Sequence, residues 1–366
     1  MDIIKDPAVK CVGCYACLDS CPKHCISMVV NNNNLTATID PTMCVQCGLC
    51  SSVCQMNDLP QLHSPIKCYA AWDDNERNTS SSGGIATSIA KNIIENGGVV
   101  IGCALENNEI HHILIDSIDE LYRIKTSKYV KSDMTGAYKL IRKNKDRKIC
   151  CIGTPCFIAG IKKYCETTNI NRDNIILIDL ICHGTPNQYI LKDIVGKDKL
   201  LSFRDGNSFR LQIENKKRKK YHISYMLGFL KGLFYNEACY DCYYAQTNRV
   251  SDITVGDFWE IEGIPEEDRE KGVSLVLINT IKGETLFNNL PIIKQERTIE
   301  EARFGNPQLV KPSIKHRNHG KFLSLYPNKK EKCLPGLLRK ERLREYIKSI
   351  VFSNKVLKSI VKRILR

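Results

Sequence analysis

The 366-residue sequence lacks any uninterrupted apolar run close to the roughly 20 residues that a membrane-spanning helix requires. Its opening, MDIIKDPAVK, also lacks the apolar stretch of a secretory signal. We therefore expect a soluble or peripheral protein of the cytoplasm. No recognisable nucleic-acid-binding module is present, and we expect no nucleic-acid partner.

Cysteine is the residue type that stands out, with 19 copies in a composition that is otherwise typical of a soluble globular protein. In a reducing cytosol, metal ligation is a more common use of cysteine than disulfide formation. The length allows more than one domain. The sequence therefore directs attention to metal or cluster sites.

The net charge of +14 is concentrated at the carboxyl end, where residues 329–366 hold 13 Lys and Arg against three Glu. Apolar residues recur there near a helical period, at positions 343, 346, 347, 350, 351, 357, 360, 361 and 364. This pattern predicts a basic amphipathic helical tail that suits an anionic membrane surface or an acidic protein partner. The alternative is an ordinary helix packed on the body of the protein.

Two cysteine runs of identical spacing lie within residues 1–60. Both follow the pattern C-x2-C-x2-C-x3-C, in which three thiolates bind one cluster and the fourth reaches the other cluster of a bacterial-type ferredoxin. The sequence predicts one [4Fe–4S] cluster on Cys11, Cys14, Cys17 and Cys54, and a second on Cys44, Cys47, Cys50 and Cys21. Paired C-x2-C units also form zinc ribbons, but zinc has no use for three cysteines spaced by two, twice over. Cys25 is left as a buried or spare thiol.

From Lys67 onward, predicted strands and helices alternate, which favours an α/β domain with a mostly parallel sheet. We divide the chain into a ferredoxin-like domain (1–60), a larger α/β domain (65–315) and the tail (329–366). The fold class is thus α/β, or α+β overall.

Four further cysteines form a second candidate constellation. Cys156 and Cys182 each follow a predicted strand directly, and parallel neighbouring strands would place both at the edge of the sheet where α/β proteins bind ligands. Cys239 and Cys242, in CYDC, would complete a set of four thiolates. From spacing alone, a third cluster, a zinc site and buried structural thiols all remain open.

Eight motifs follow one another in the α/β domain: SSGGIATSIAKNIIENGGVV, SKYVKSD, GTPCFIAGIKKY, DLICHGTP, FRDG, CYDC, NRVSDITVGDFW and GVSLVLINT. In these motifs the chain resembles the coenzyme F420 hydrogenase/dehydrogenase beta-subunit family. The resemblance implies an α/β domain that binds FAD, and a third [4Fe–4S] cluster held by Cys156, Cys182, Cys239 and Cys242. Phe157 and Glu260 stand where the family usually has Gln and Gly, which predicts an altered pocket and a different acceptor.

The resemblance also directs the choice of flavin-binding residues. TSSSGG precedes a predicted helix whose free N–H groups suit a phosphate. The predicted cofactor-binding residues are Ser81, Ser82, Gly83, Gly84, Ser127, Lys128, Tyr129, Arg249 and Asp252. Arg249 would pair with phosphate or with Asp252. Lys128, beside the flavin, and His183, beside a predicted cluster ligand, are the catalytic candidates, with plain packing or surface roles as alternatives.

The resemblance implies a flavin-dependent iron–sulfur oxidoreductase that moves electrons between ferredoxin-type clusters and a two-electron acceptor. The acceptor would be coenzyme F420 or another small molecule, and many bacterial members of the family sit among polysaccharide-biosynthesis genes. A redox protein or ferredoxin would be the protein partner. The alternative is an electron-relay subunit of a larger complex that performs no chemistry of its own.

Overall fold

The computed structural model describes residues 2–206 and 208–353, with side chains described as far as residue 347. The strands of this part of the chain are β1 (Ile26–Asn31), β2 (Asn34–Ile39), β3 (Lys67–Trp72), β4 (Val99–Glu106), β5 (Glu109–Ile115), β6 (Ile149–Gly153), β7 (Ile175–Leu180), β8 (Lys199–Asp205), β9 (Ser208–Asn215), β10 (Arg218–His222), β11 (Ile253–Asp257), β12 (Ser274–Ile278) and β13 (Ile293–Arg297). The helices are α1 (Ala16–Ser20), α2 (Leu49–Ser52), α3 (Ile85–Glu95), α4 (Leu121–Ile124), α5 (Ala137–Lys143), α6 (Pro155–Thr167), α7 (Gln188–Val195), α8 (Ile223–Leu230), α9 (Glu266–Lys271), α10 (Ile281–Asn288), α11 (Ile299–Gly305), α12 (His319–Lys329), α13 (Leu334–Leu337) and α14 (Arg339–Ser353).

The amino-terminal module is built around one antiparallel hairpin and two short helices. Strands β1 and β2 pair from Ile26 with Ile39 to Asn31 with Asn34. At the turn, Asn32 and Asn33 have φ angles of 46° and 64°, the left-handed conformation that a two-residue hairpin loop requires. Each cysteine run leads into a short helix, which holds Cys17 in α1 and Cys50 in α2.

An eight-stranded sheet, in the order β13-β3-β12-β11-β7-β6-β4-β5, forms the centre of the larger domain. The four adjacent strands β11, β7, β6 and β4 are parallel, and β3 runs in the same direction, so five of the eight strands point one way. The α/β fold class is confirmed. The antiparallel strands lie at the two sides of this parallel core.

Parallel pairing of β6 with β7 brings the carboxyl ends of these strands side by side. Gly153 at the end of β6 lies opposite Asp179 of β7. Helix α6 starts directly after β6 with Pro155 in its first turn, where a missing N–H costs no hydrogen bond. Cys156 and Cys182 therefore emerge at one edge of the sheet, as the sequence predicts.

A second, smaller layer covers this edge. The antiparallel sheet β10-β9-β8 packs with α7, α8, α12 and α13 around a separate apolar core. The hairpin between β9 and β10 turns at Lys216 and Lys217, both with positive φ angles. The rest of this layer carried no clear sequence signal.

Buried polar contacts hold the amino-terminal module on the larger domain. Asp19 accepts hydrogen bonds from the backbone N–H groups of Gly136 and Tyr138, at 2.8 and 3.0 Å. The Tyr138 hydroxyl donates to the carbonyl of Cys14 at 2.6 Å. Because these groups are buried, loss of a partner would be costly, and the module is held in one position.

The carboxyl-terminal segment divides into a packed part and an exposed part. Leu334, Leu337 and Leu338 are buried in the apolar core of the second layer. In α14, Leu343 and Ile347 are 57% and 52% exposed. The side chains at positions 350, 351, 357, 360, 361 and 364 of the predicted amphipathic helix lie outside the described residues. In residues 2–206 and 208–353, no helix is long and apolar enough to cross a membrane.

Candidate functional site

The twelve cysteines predicted as ligands lie near one another in three groups, and their role as cluster ligands stays a prediction. Burial is the main reason that the pKa of Cys17 is raised. The neighbouring cysteines Cys14 and Cys11 of the same set raise this pKa further. The cysteines of the second set all line one small cavity in the module. Burial also raises the pKa of Cys182, followed by the charges of the other third-set cysteines.

Cys25 also lies at the second set, a position that its isolation in the sequence did not indicate. Its Sγ is 3.4 Å from Sγ of Cys21, and it lines the same cavity. The hydrogen bond with Cys21 raises the pKa of Cys25 to about 11. The second site therefore contains a fifth thiol.

Each set consists of four thiols, the donor type that [4Fe–4S] clusters use. Among the described residues, no three His, Cys, Asp or Glu side chains converge as a single metal ion would require. The fit of the sets to clusters therefore rests on the donor chemistry and on the spacing of the two runs.

The first and third sets are in direct contact through α6. A Cβ added at Gly160 would lie 2.5 Å from the Tyr138 hydroxyl and 3.2 Å from Sγ of Cys14, so glycine lets this helix approach the first set closely. Cys156 lies on the same helix, about one turn earlier. Glycine at position 160 thus lets the two cysteine sets share one interface.

Gln55, immediately after the last cysteine of the second run, spans the same interface. Its side chain is fully buried; Nε2 donates to the carbonyl of Cys156, and Oε1 accepts from the Tyr244 hydroxyl. Proline, the residue often found at this position, could make neither contact. Gln55, which stands here in place of that proline, therefore joins the module to the third cysteine set.

Lys131, from the SKYVKSD motif, reaches into the same junction. It is 3% exposed; its Nζ donates to the carbonyl of Val12 at 2.9 Å and lies 3.9 Å from Sγ of Cys156. Burial by itself would lower the pKa of Lys131, but the surrounding cysteines, Cys156 first, raise it overall. The sequence analysis assigned this residue no role.

A deep cleft opens over the carboxyl ends of the parallel strands, where α/β proteins bind their ligands. It encloses about 1650 Å³ between protein atoms, including its open mouth. Cys182 lines the cleft, which therefore borders the third cysteine set.

Most of the predicted flavin-binding residues line this cleft: Ser81, Ser82, Gly84, Ser127, Lys128 and Tyr129. The Ser81 hydroxyl accepts a hydrogen bond from the backbone N–H of Ser127 at 2.8 Å, which joins the two predicted motifs. Gly84 has a φ of 81° and ends the serine loop at the start of α3. Two motifs that lie more than forty residues apart in sequence thus form one wall.

Three of the predicted cofactor residues do not line the cleft. Gly83 packs against strand β3, where an added Cβ would lie 2.4 Å from the carbonyl oxygen of Ala71. Arg249 is 1% exposed and pairs with Asp179 at 2.9 Å, not with Asp252. Asp252 accepts from the backbone N–H of Leu177 and from Thr280 Oγ1, each at 2.8 Å. These contacts give Gly83, Arg249 and Asp252 structural positions in place of the predicted ligand contacts.

Arg204, within the FRDG motif, is a cleft residue to which sequence reasoning assigned no role. Its guanidinium pairs with Asp257, donates to the carbonyl of Ser81 at 2.6 Å and donates to the Tyr129 hydroxyl at 2.5 Å. It also lies 4.5 Å from the ring centroid of Phe209. Strands β8 and β11 thus contribute a cation and a carboxylate to the cleft.

The two catalytic candidates both line the cleft, in different environments. The Lys128 ammonium donates to the carbonyls of Cys103 and Lys125, at 2.8 and 2.6 Å, and burial lowers its pKa. Burial lowers the pKa of His183 to about 4, so its ring is neutral near pH 7. His112, which also lines the cleft, has a buried Nε2 with no hydrogen-bond partner among the described residues.

A cysteine-rich module docked beside a cleft at the carboxyl edge of an α/β sheet defines an iron–sulfur protein of the electron-transfer class. A family model described as a 4Fe-4S dicluster domain matches residues 10–57. Models described as the beta subunit N-term and C terminus of coenzyme F420 hydrogenase/dehydrogenase match residues 68–139 and 146–303. The chain belongs to the coenzyme F420 hydrogenase/dehydrogenase beta-subunit family.

Among solved structures, the chain is similar to one from the F420-reducing [NiFe] hydrogenase complex of Methanosarcina barkeri. The match has 16% sequence identity and a TM-score of 0.49, and covers 69% of this chain and 91% of that chain. No curated protein matches the sequence. At this level of similarity, the structural match supports no argument about function.

Proposed function

We propose that the protein is a flavin-dependent iron–sulfur oxidoreductase that moves electrons between a protein redox partner and a small-molecule two-electron acceptor. The observation that carries this proposal is the shared border of the third cysteine set and the cleft at Cys182. When bound, the clusters would supply one-electron chemistry and FAD would couple it to two-electron chemistry. The domain limits 1–60, 65–315 and 329–366 are part of the proposal.

The chain's own residues fit a dinucleotide in the cleft. The serine loop before α3 places hydroxyls and backbone N–H groups at a helix N-terminus, where a pyrophosphate is favoured. On the other side, Arg204 holds this loop by its contact with Ser81. The buried Nε2 of His112, which has no hydrogen-bond partner in the part of the chain that the structure describes, supplies a further polar group to the interior of the cleft.

Two side chains that line the cleft, Lys128 and His183, are suited to control the protonation or the charge of a bound ring. Lys128 stands beside Cys103 and presents a cation whose pKa burial has lowered. His183, neutral near pH 7, follows a proposed cluster ligand in sequence. We propose coenzyme F420 as one acceptor to test; other small molecules, including substrates in polysaccharide biosynthesis, are the alternative.

The first experiment is an anaerobic purification followed by measurement of iron, zinc and flavin per chain. Three cubane clusters predict about 12 Fe per chain with stoichiometric FAD and no zinc. About 8 Fe, with zinc and no flavin, would overturn the proposal and favour an electron-relay subunit. With iron and flavin present, reduction of coenzyme F420 by the reduced protein tests the acceptor.

A further inference from the structure

Lys131 lies where the first cysteine set, the third cysteine set and the cleft meet. Its ammonium contacts the carbonyl of Val12, within the first cysteine run, and approaches Sγ of Cys156 to 3.9 Å. Lys131 also lines the cleft. One buried cation thus lies beside three parts of the molecule that are distant from one another in sequence.

Among the described residues, no carboxylate forms an ion pair with the Lys131 ammonium. Its two recorded hydrogen-bonding partners among the described residues are the Val12 carbonyl and the Cys156 thiol. An ammonium with 3% exposure is strongly disfavoured unless negative charge lies nearby. The thiols acting on it belong to both sets, and they are Cys156, Cys239, Cys14 and Cys182. With clusters bound, the thiolate sulfurs of these cysteines would supply the balancing charge.

We propose that Lys131 is an electrostatic link between the clusters of the first and third cysteine sets, which raises their reduction potentials together. This inference rests on the proposed function, since it requires a cluster on each set. Reduction adds one negative charge to a cluster, and a cation at about 4 Å in a buried setting stabilises that charge. With both clusters bound, one electron would leave one cluster and enter the other, and no bond would form or break and no proton would move.

The test is an anaerobic potentiometric titration of Lys131→Met, followed by electron paramagnetic resonance of the reduced clusters. Removal of the charge is expected to lower the midpoint potential of at least one cluster, so that its reduced-to-oxidised ratio at fixed potential falls tenfold or more. For a one-electron couple, a tenfold change corresponds to about 59 mV. Midpoints equal to those of the unaltered protein, with all three clusters present, would overturn the inference.

Lys162, a second buried lysine on α6, provides a matched control. It is 7% exposed, and its Nζ donates to the carbonyl of Gln61 at 3.1 Å, but no cysteine is among the charges that act on it. Lys162→Met is expected to leave the midpoints unchanged, and Lys131→Arg to keep them close to those of the unaltered protein. An equal shift in Lys162→Met would overturn the specific role of Lys131.

Iron content separates the two possible failures. Fewer than three clusters in the unaltered protein would overturn the proposed function and this inference with it. Three clusters with unmoved potentials in Lys131→Met would overturn the inference alone. If Lys131→Met loses iron, Lys131→Gln, which keeps a donor for the Val12 carbonyl, is titrated in its place and judged by the same criterion.

Discussion

Two arginine–aspartate pairs of the α/β domain are alike in chemistry and opposite in setting. Arg249 and Asp179 are buried inside the sheet layer, with side-chain exposures of 2% and 0%. Arg204 and Asp257 line the cleft, with side-chain exposures of 7% and 20%. The interior pair also engages three backbone carbonyls, whereas the cleft pair borders space for a ligand. The same ion pair can therefore hold a fold together or shape a binding site, depending on its surroundings.

The largest effect should follow from breaking the interior pair. Arg249→Met leaves the Asp179 carboxylate without its cation at a site with no solvent exposure. Removal of one partner of a buried pair costs about 3–5 kcal/mol of unfolding free energy. We expect a marked drop in the urea midpoint and in the thermal midpoint of the anaerobic protein.

The double variant Arg249→Met/Asp179→Leu serves as the control. Replacement of both partners removes the uncompensated charge, so we expect it to recover part of the lost stability. The recovery should be incomplete, because Arg249 also donates to the carbonyls of Tyr244, Gln246 and Leu180. A double variant as unstable as Arg249→Met would contradict this account of the pair.

Gln55→Leu tests whether buried contacts at the module junction stabilise the fold, as those of the interior pair do. The substitution leaves the Tyr244 hydroxyl and the Cys156 carbonyl without their buried partner. We expect a loss of about 1–3 kcal/mol, the cost of unsatisfied buried polar groups. Amide hydrogen exchange should rise in residues 11–57, while β6 and β7 keep their protection.

Gln61→Leu is the matched control for this junction. Gln61 is exposed, and Lys162 meets its main-chain carbonyl, which the substitution retains. We expect its exchange pattern to match that of the unaltered protein. Equal exchange in Gln55→Leu and Gln61→Leu would show that Gln55 does not hold the module in place.

The cleft pair should respond differently, through flavin binding more than through stability. Arg204→Met removes the contacts with Ser81 and Tyr129, which join two walls of the proposed flavin site. We expect flavin affinity to fall about tenfold, equivalent to roughly 1.4 kcal/mol, with the iron content unchanged. Arg210→Met, at an exposed arginine that stacks on Tyr221 outside the cleft, should retain its flavin. Equal flavin affinity in both variants would exclude Arg204 from the site.

The features that the sequence could predict depend on residues close together in the chain or on general rules of sheet topology. The cysteine sets of the module were predictable because their ligands lie two or three residues apart, so spacing alone reports the geometry. The sheet edge followed from the alternation of strands and helices, which placed Cys156 and Cys182 correctly. Both features are local, or are fixed by general rules of chain topology.

Partners across the domain could not be predicted in this way. Arg249 and Asp252 are neighbours in sequence, yet Arg249 meets Asp179, 70 residues away. Arg204 meets Asp257 across 53 residues, and no local pattern indicates that contact. Lys131 and Gln55 have roles only because two modules dock, and no periodicity within either module reports the docking.

The smallest effect is expected from the single hydroxyl that joins the two loops at the cleft. In Ser81→Ala, the backbone N–H of Ser127 loses its 2.8 Å partner but remains near the open cleft, where water can replace it. A hydrogen bond of this kind contributes about 0.5–1.5 kcal/mol, and because water can replace it we expect the low end of that range, a fall of about twofold in flavin affinity. Ser64→Ala, at an exposed serine bonded to Asn248, controls for loss of a hydroxyl and should bind flavin unchanged. Flavin affinity in Ser81→Ala that falls as far as in Arg204→Met would mean that the loop contact, and not the arginine, organises the cleft. An affinity equal to that of Ser64→Ala would mean that Arg204 holds the serine loop without help from Ser127.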